Sequence, residues 1–92
     1  MKQFNLRTGI IGVGSMGQNH ARIYNQISNL VGIADTNEKQ GLEISERFGV
    51  RWYKDYREML NHVDAVTIAV TTTLHREIAE EVISSKVNLL IE

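Results

Sequence analysis

Three glycines near the start of the chain are spaced in a way that could hold a phosphate group. They lie in the segment GVGSMG, which runs from Gly12 to Gly17 between an apolar run and a helical pattern. Gly12 would permit a tight turn, Gly14 has no Cβ to obstruct a pyrophosphate, and Gly17 would let the next helix pack close to the strand. The backbone N–H groups of Ser15 and Met16 would then point at the phosphates, helped by the helix dipole.

An acidic residue, Asp35, ends the next apolar run, 23 positions after Gly12. Its carboxylate can accept hydrogen bonds from the hydroxyls of an adenosine ribose and would repel a 2′-phosphate. Asp35 and its neighbour Thr36 therefore join the candidate site, and NAD is favoured over NADP, although Lys39 is close enough in sequence to leave NADP open. The alternative, glycines that serve only a turn, fits this context less well than a dinucleotide-binding motif.

Apolar runs alternate with helical patterns along the chain. The runs predict five strands, at Leu6–Val13, Leu30–Ala34, Val50–Tyr53, Asp64–Val70 and Val87–Ile91. Between them the patterns predict four helices, at Ser15–Ile27, Asn37–Phe48, Asp55–Leu60 and from Thr72 or Thr73, one of which should be the cap. Strands that alternate with helices predict an α/β fold, here a Rossmann-like, doubly wound parallel sheet with helices on both faces.

The apolar spacing also predicts which residues of the helices are buried. The first helix has one apolar stripe, formed by Met16, Ile23, Tyr24 and Ile27. In the last helix, apolar residues recur every four positions, at Leu74, Ile78 and Val82. Asn37 can cap the second helix, with Gln40 in a capping-box position. His20, on the first helix, is interpreted as a packing residue rather than a catalytic one.

The composition excludes several other kinds of function. A net charge of −1 gives no electrostatic footprint for nucleic acid or an anionic membrane. Without cysteine there are no disulfides or thiolate metal sites, and the three histidines are too scattered for a metal site. The chain shows no signal peptide and no apolar run long enough to span a membrane, so we expect a cytoplasmic location.

Four segments carry a resemblance to a known family: GIIGVGSMGQNHARIY, GIADTN, DAVTIAVTTTLHREIAEEVI and VNLLIE. Over essentially all of its length, the chain resembles the N-terminal domain of the glucose–fructose oxidoreductase / inositol dehydrogenase (Gfo/Idh/MocA) group of NAD(P)-dependent sugar oxidoreductases. Within that group it is similar to members that act on nucleotide sugars. The resemblance implies an oxidoreductase that transfers a hydride between nicotinamide and a sugar, polyol or nucleotide sugar.

The resemblance also implies cofactor contacts in the second half of the chain. A family pattern that lies along the cofactor falls at the end of the fourth strand, and we assign it to Ala69, Thr71, Thr72, Leu74 and His75. The threonines could equally form a simple helix cap. The fifth strand of the family ends in Glu-Lys-Pro, where the Glu meets the nicotinamide ribose and the Lys assists proton transfer. Glu92 matches that Glu, and the Lys would follow it, so no catalytic residue is assigned.

Two positions depart from the family pattern. Thr71 stands where proline is common, and Lys86 stands where glycine often ends the helix, so we expect a strained helix end there. We expect residues 1–92 to form a truncated dinucleotide-binding domain without its C-terminal substrate domain, which binds the cofactor but has no turnover alone. Its apolar last strand predicts self-association as a homo-oligomer. The alternative is a stand-alone module that senses NAD(H) without catalysis.

Overall fold

The computed structural model describes residues 6–90, and five parallel strands in it form one sheet. The strands are β1 (Arg7–Ile11), β2 (Asn29–Ala34), β3 (Arg51–Tyr53), β4 (Ala65–Ile68) and β5 (Asn88–Leu90). The helices are α1 (Ser15–Ile27), α2 (Glu38–Phe48), α3 (Tyr56–Met59, continued by the 3₁₀ turn Leu60–His62) and α4 (Thr72–Ser84). The predicted α/β, doubly wound sheet is confirmed, and Ile91 of the predicted fifth strand lies outside the described residues.

The order of the strands creates a crevice beside β1. The order across the sheet is β3-β2-β1-β4-β5, so the chain moves outward from β1 to β3 and then crosses back to β4. Ile11, at the end of β1, pairs with Ala34 of β2 on one side and with Ile68 of β4 on the other. The carboxyl ends of β1 and β4 therefore meet where the strand order reverses, which is the usual place for a ligand in such sheets.

The sheet has a buried apolar layer on each face. One layer packs β1 and β2 against α1 and α2, and contains Ile10, Val13, Ala21, Leu30, Ile33 and Ile44. The other layer packs the opposite face against α3 and α4, and its fully buried members include Met59, Val66 and Val82. Because both faces are covered, the strands read as continuous apolar runs.

The buried face of α1 differs from the predicted stripe. Its buried residues are Gly17, His20 and Ala21, whereas Met16 is 66% exposed and Ile27 is 43% exposed. The reason is the close approach of α1 to the sheet at Gly17, which turns the side of the helix with the smallest residue inward. The interpretation of His20 as a packing residue agrees with its burial.

The ends of two other helices also correct the predictions. The cap of α4 is Thr71 rather than Thr72 or Thr73, and Leu74 is 49% exposed because it lies in the first turn, beyond the end of β4. At α2, Asn37 Oδ1 accepts from the Gln40 N–H at 3.1 Å, as predicted. In a full capping box the Gln40 side chain would accept from the Asn37 N–H, but here that N–H donates to Asp35 Oδ1 at 2.8 Å.

Candidate functional site

The chain makes a tight turn at Gly12, directly after β1. Gly12 has a φ of 94°, and its N–H donates to the Ala34 carbonyl at 2.7 Å. A Cβ at this position would lie 2.5 Å from the carbonyl oxygen of Ala69. The predicted role of Gly12 in the turn is therefore confirmed, because both the backbone angle and the space require glycine.

The other two glycines of the motif differ in their surroundings. A Cβ at Gly17 would overlap the carbonyl oxygen of Gly12, so the predicted close packing of α1 on the strand end is confirmed. A Cβ at Gly14 would meet no described atom within 4 Å. Gly14 thus faces open space, where a ligand could reach the backbone.

The first turn of α1 presents backbone donors beside this open space. The first helical hydrogen bond joins the Gln18 N–H to the Gly14 carbonyl at 2.8 Å, and no side chain caps the helix. The N–H groups of Ser15 and Met16 come before that bond, and both residues are exposed. Uncapped donors at the positive end of a helix dipole favour an anion such as a phosphate.

Asp35 is attached to the glycine loop by hydrogen bonds. Its Oδ2 accepts from the Val13 N–H at 2.9 Å and its Oδ1 accepts from the Asn37 N–H at 2.8 Å. A carboxylate has about four acceptor positions, so capacity remains for a ligand hydroxyl. Two side chains that the sequence analysis missed also support this region: Gln18 Nε2 donates to the Val13 carbonyl at 3.0 Å, and Trp52 Nε1 donates to the Asp35 carbonyl at 2.9 Å.

A cavity of about 260 Å³ lies on the Asp35 side of the glycine loop. Its lining includes Gly12, Asp35 and Thr36, together with Leu74 of α4. Two cations that the sequence analysis did not identify, Lys54 and Arg57, also line this cavity. Their place could not be inferred from spacing, because it depends on how α3 packs beside β2.

A second cavity, of about 220 Å³, lies on the Met16 side of the loop. Its lining includes Met16, Ala69 and His75, which were all predicted site residues. It also includes His20 and Thr67, for which no sequence signal pointed to a site. The two cavities share Val70, so they are neighbours at the carboxyl ends of the strands.

The remaining predicted residues lie at the start of α4 or outside the described residues. Thr71 is the exposed cap of α4, and it lines neither of these cavities. α4 begins at Thr72. Glu92 lies outside the described residues. Within residues 6–90, no group of three or more His, Cys, Asp and Glu side chains could hold a metal ion.

An ion pair and a phenol join α3 to α4 beside the first cavity. Tyr56 Oη donates to Glu81 Oε1 at 2.8 Å, and Arg57 Nε donates to Glu81 Oε2 at 2.5 Å. Burial, followed by the hydrogen bond to Glu81, raises the pKa of Tyr56 to about 12. The hydrogen bonds from Arg57 and then Tyr56 hold the pKa of Glu81 below its usual value. These contacts fix one wall of the cavity.

A comparison with protein families shows which family has this sequence pattern. A family model described as "Oxidoreductase family, NAD-binding Rossmann fold" (GFO_IDH_MocA) matches residues 6–92. The chain belongs to this family. It is an NAD-binding Rossmann domain of the Gfo/Idh/MocA oxidoreductases. None of the helices in residues 6–90 has the length and apolar character needed to cross a membrane.

Individual relatives agree with the family assignment. UDP-N-acetylglucosamine 3-dehydrogenase from Acidithiobacillus ferrooxidans is 38% identical over 88 residues, which cover 96% of this chain and 28% of that enzyme. Glucose-6-phosphate 3-dehydrogenase from Bacillus subtilis is 26% identical over 94% of this chain and 25% of that enzyme. The chain therefore spans about a quarter of the length of these curated relatives.

Solved structures of relatives superpose closely on the chain. The A. ferrooxidans enzyme does so with a TM-score of 0.91 and 37% identity, over 95% of this chain and 29% of that one. GenD2 from gentamicin A biosynthesis, in complex with NAD, has a TM-score of 0.90 and 29% identity, over 97% of this chain and 26% of that one.

Proposed function

We propose that this domain binds NAD(H) across the carboxyl ends of β1 and β4, as the cofactor half of a dehydrogenase for a sugar, polyol or nucleotide sugar. The observation that carries the proposal is the presence of two cavities, one on each side of a glycine loop with open donors. A dinucleotide has this shape, with two nucleosides joined by a pyrophosphate. The substrate class is supported by the relatives, which are dehydrogenases of UDP-N-acetylglucosamine and glucose 6-phosphate.

In this proposal the pyrophosphate lies on the glycine loop. The open side of Gly14 admits it, and the N–H groups of Ser15 and Met16 hold it. Gly12 and Gly17 act indirectly, since they let the loop and α1 adopt the required shape.

The adenosine half occupies the first cavity. There the Asp35 carboxylate, which is already oriented by two backbone N–H groups, accepts hydrogen bonds from the ribose hydroxyls beside Thr36. The same charge disfavours a 2′-phosphate, so we propose a preference for NAD over NADP. Lys54 lines the same cavity as Asp35. Its positive charge would attract a 2′-phosphate, and it therefore reduces the preference for NAD over NADP.

The nicotinamide half occupies the second cavity, beside Ala69 and His75. Leu74, which lines the first cavity, and Thr71 and Thr72 at the start of α4 are further cofactor contacts in this proposal. When bound, NAD supplies the carbon that accepts or gives the hydride. The residues of this chain bind and orient it. We propose that Glu92 contacts the nicotinamide ribose, and that the proton-transfer lysine and the sugar site belong to the portion of the relatives' length that this chain does not cover.

A pair of glycine variants tests the proposal. Gly14→Val should leave the fold intact, because a Cβ there meets no described atom within 4 Å, but should reduce NADH binding by at least about ten-fold, since the side chain enters the phosphate position. Gly49→Ala, at the far end of α2, should lower stability and leave NADH binding unchanged. NADH fluorescence titration of both variants is the measurement. Absence of saturable binding in the wild-type chain, or normal binding by Gly14→Val, would contradict the proposal.

A further inference from the structure

Thr67 is a buried polar residue in the second cavity without an evident structural role. It is 2% exposed, and its Oγ1 is buried with no hydrogen-bond partner among the described residues. Buried hydroxyl groups in folded proteins are nearly always hydrogen-bonded, because leaving one unpaired costs free energy. Thr67 also lines the second cavity, so a group bound there is a candidate for the missing partner of its hydroxyl.

The position of Thr67 in the sheet decides which side it serves. Its neighbours in β4, Val66 and Ile68, belong to the core layer under α3 and α4. Side chains alternate along a strand, so Thr67 faces the opposite layer, on the α1 side. Met16 and His20, both on α1, line the same cavity as Thr67.

The proposed function determines which half of the ligand reaches this cavity. Asp35 lines the first cavity and not the second, so the adenosine ribose belongs to the first. The second cavity then receives the nicotinamide half. Leu90 pairs with Thr67 in the sheet and therefore faces the same side, and Met16 of α1 also lines the cavity. These apolar side chains suit the flat face of a ring better than they suit a ribose or phosphate.

We infer that the Thr67 hydroxyl forms a hydrogen bond with the carboxamide of the bound nicotinamide; this rests on the proposed binding of NAD(H). A carboxamide has one acceptor oxygen and an NH₂ donor, and a hydroxyl can pair with either. Thr67 is thus a specificity residue for the nicotinamide end of the cofactor. It distinguishes a complete dinucleotide from ADP-ribose, which lacks that ring.

Replacement of the hydroxyl by a methyl group tests the inference. Thr67→Val should weaken NADH binding about five-fold, the value expected for one lost neutral hydrogen bond, and should leave ADP-ribose binding unchanged. The melting temperature should stay the same or rise, because no hydrogen bond between described residues is lost. Both affinities can be measured by NADH fluorescence and by displacement with ADP-ribose.

Thr8→Val is the matched control. Thr8 is 1% exposed in β1, but its Oγ1 is 2.9 Å from Ser28 Oγ, so the variant should lower the melting temperature and leave both ligand affinities unchanged. The inference is overturned if Thr67→Val leaves NADH binding intact, weakens both ligands equally, or destabilises the chain as Thr8→Val does. Binding of NADH and ADP-ribose by the wild-type chain distinguishes the two hypotheses. If neither ligand binds, the proposed function is wrong; if both bind, the Thr67 variant tests the inference alone.

Discussion

Lys86 follows the end of α4 in the left-handed backbone region, with a φ of 68°. Its N–H donates to the Ile83 carbonyl at 3.1 Å, and the Val87 N–H donates to the Val82 carbonyl at 3.4 Å. This pair of bonds is the Schellman motif, whose left-handed position usually holds glycine. The strain expected from the sequence at Lys86 is therefore confirmed, and Lys86→Gly should relieve it.

The end of α2 provides the matched comparison. There the Gly49 N–H donates to the Glu46 carbonyl and the Val50 N–H donates to the Ser45 carbonyl, in the same arrangement as at α4. Gly49 has a φ of 67°, and a Cβ there would meet no described atom within 4 Å. Gly49→Ala thus adds only the backbone strain that Lys86→Gly removes.

The size of the effect follows from the backbone. A residue with a Cβ in the left-handed region costs roughly 1–2 kcal/mol. Glycine does not have this strain, but its greater conformational entropy stabilises the unfolded chain by about 0.4–1 kcal/mol. Lys86→Gly should therefore raise the free energy of unfolding by about 0.5–1 kcal/mol, which corresponds to a melting temperature roughly 4 °C higher in a domain of this size.

Urea and thermal unfolding followed by circular dichroism measure this change. Lys86→Ala is the control, because it removes the charge but keeps the Cβ, and it should not stabilise the chain. Gly49→Ala should shift stability by a similar amount in the opposite direction. The reasoning is refuted if Lys86→Gly is no more stable than Lys86→Ala. NADH affinity should be unchanged in all three variants, since these helix ends lie opposite the glycine loop.

Three further variants test the site and the sheet. Gly17→Ala should destabilise the chain by about 3 kcal/mol and abolish NADH binding, because its Cβ would overlap a backbone carbonyl; a normal melting temperature would contradict this. Asp35→Asn should weaken NAD binding and narrow the preference over NADP, and titrations with both cofactors that give an unchanged ratio would argue against the assigned role. Asp64 accepts hydrogen bonds from Arg7, and these lower the pKa of the Asp64 carboxyl from the usual 3.8. The stabilisation from this pair is therefore present above the usual pKa and is lost as the pH falls through the lowered pKa. Acid unfolding curves of Asp64→Asn should accordingly depend less on pH below about 4 than those of the wild type.

Much of the fold could be predicted because its signals are local. The apolar run DAVTIAV indicates a buried strand by itself, and β4 lies within it at Ala65–Ile68. The Asn37 cap needs only a side chain three residues from its donor, and it forms as predicted. In the same way, the left-handed end of α2 is visible in the sequence at Gly49, whereas the one at Lys86 was expected only from the family pattern.

The errors arose where distant segments meet. In the stripe predicted for α1, Tyr24 packs against the core, but Met16 and Ile27 are exposed, because the contact with the loop at Gly12 decides which side of that helix is buried. Leu74 continues an apolar pattern, yet it is half exposed because α4 begins beyond the sheet. Periodicity records only that one side of a helix is apolar, and it contains no information on where the sheet ends.

The sequence by itself determined the α/β class, the glycine loop and the acidic residue that follows β2, since each depends on residue types at short spacing. Only the tertiary structure showed that the Asp35 carboxylate holds the loop through the Val13 N–H, and that Lys54 and Thr67 line cavities on opposite sides of it. These groups are brought together by parallel crossovers, which place residues far apart in the chain at the same edge of the sheet. A local sequence pattern does not show which distant residues become neighbours. The sequence therefore indicates the glycine loop, whereas the tertiary structure determines the cavities beside it.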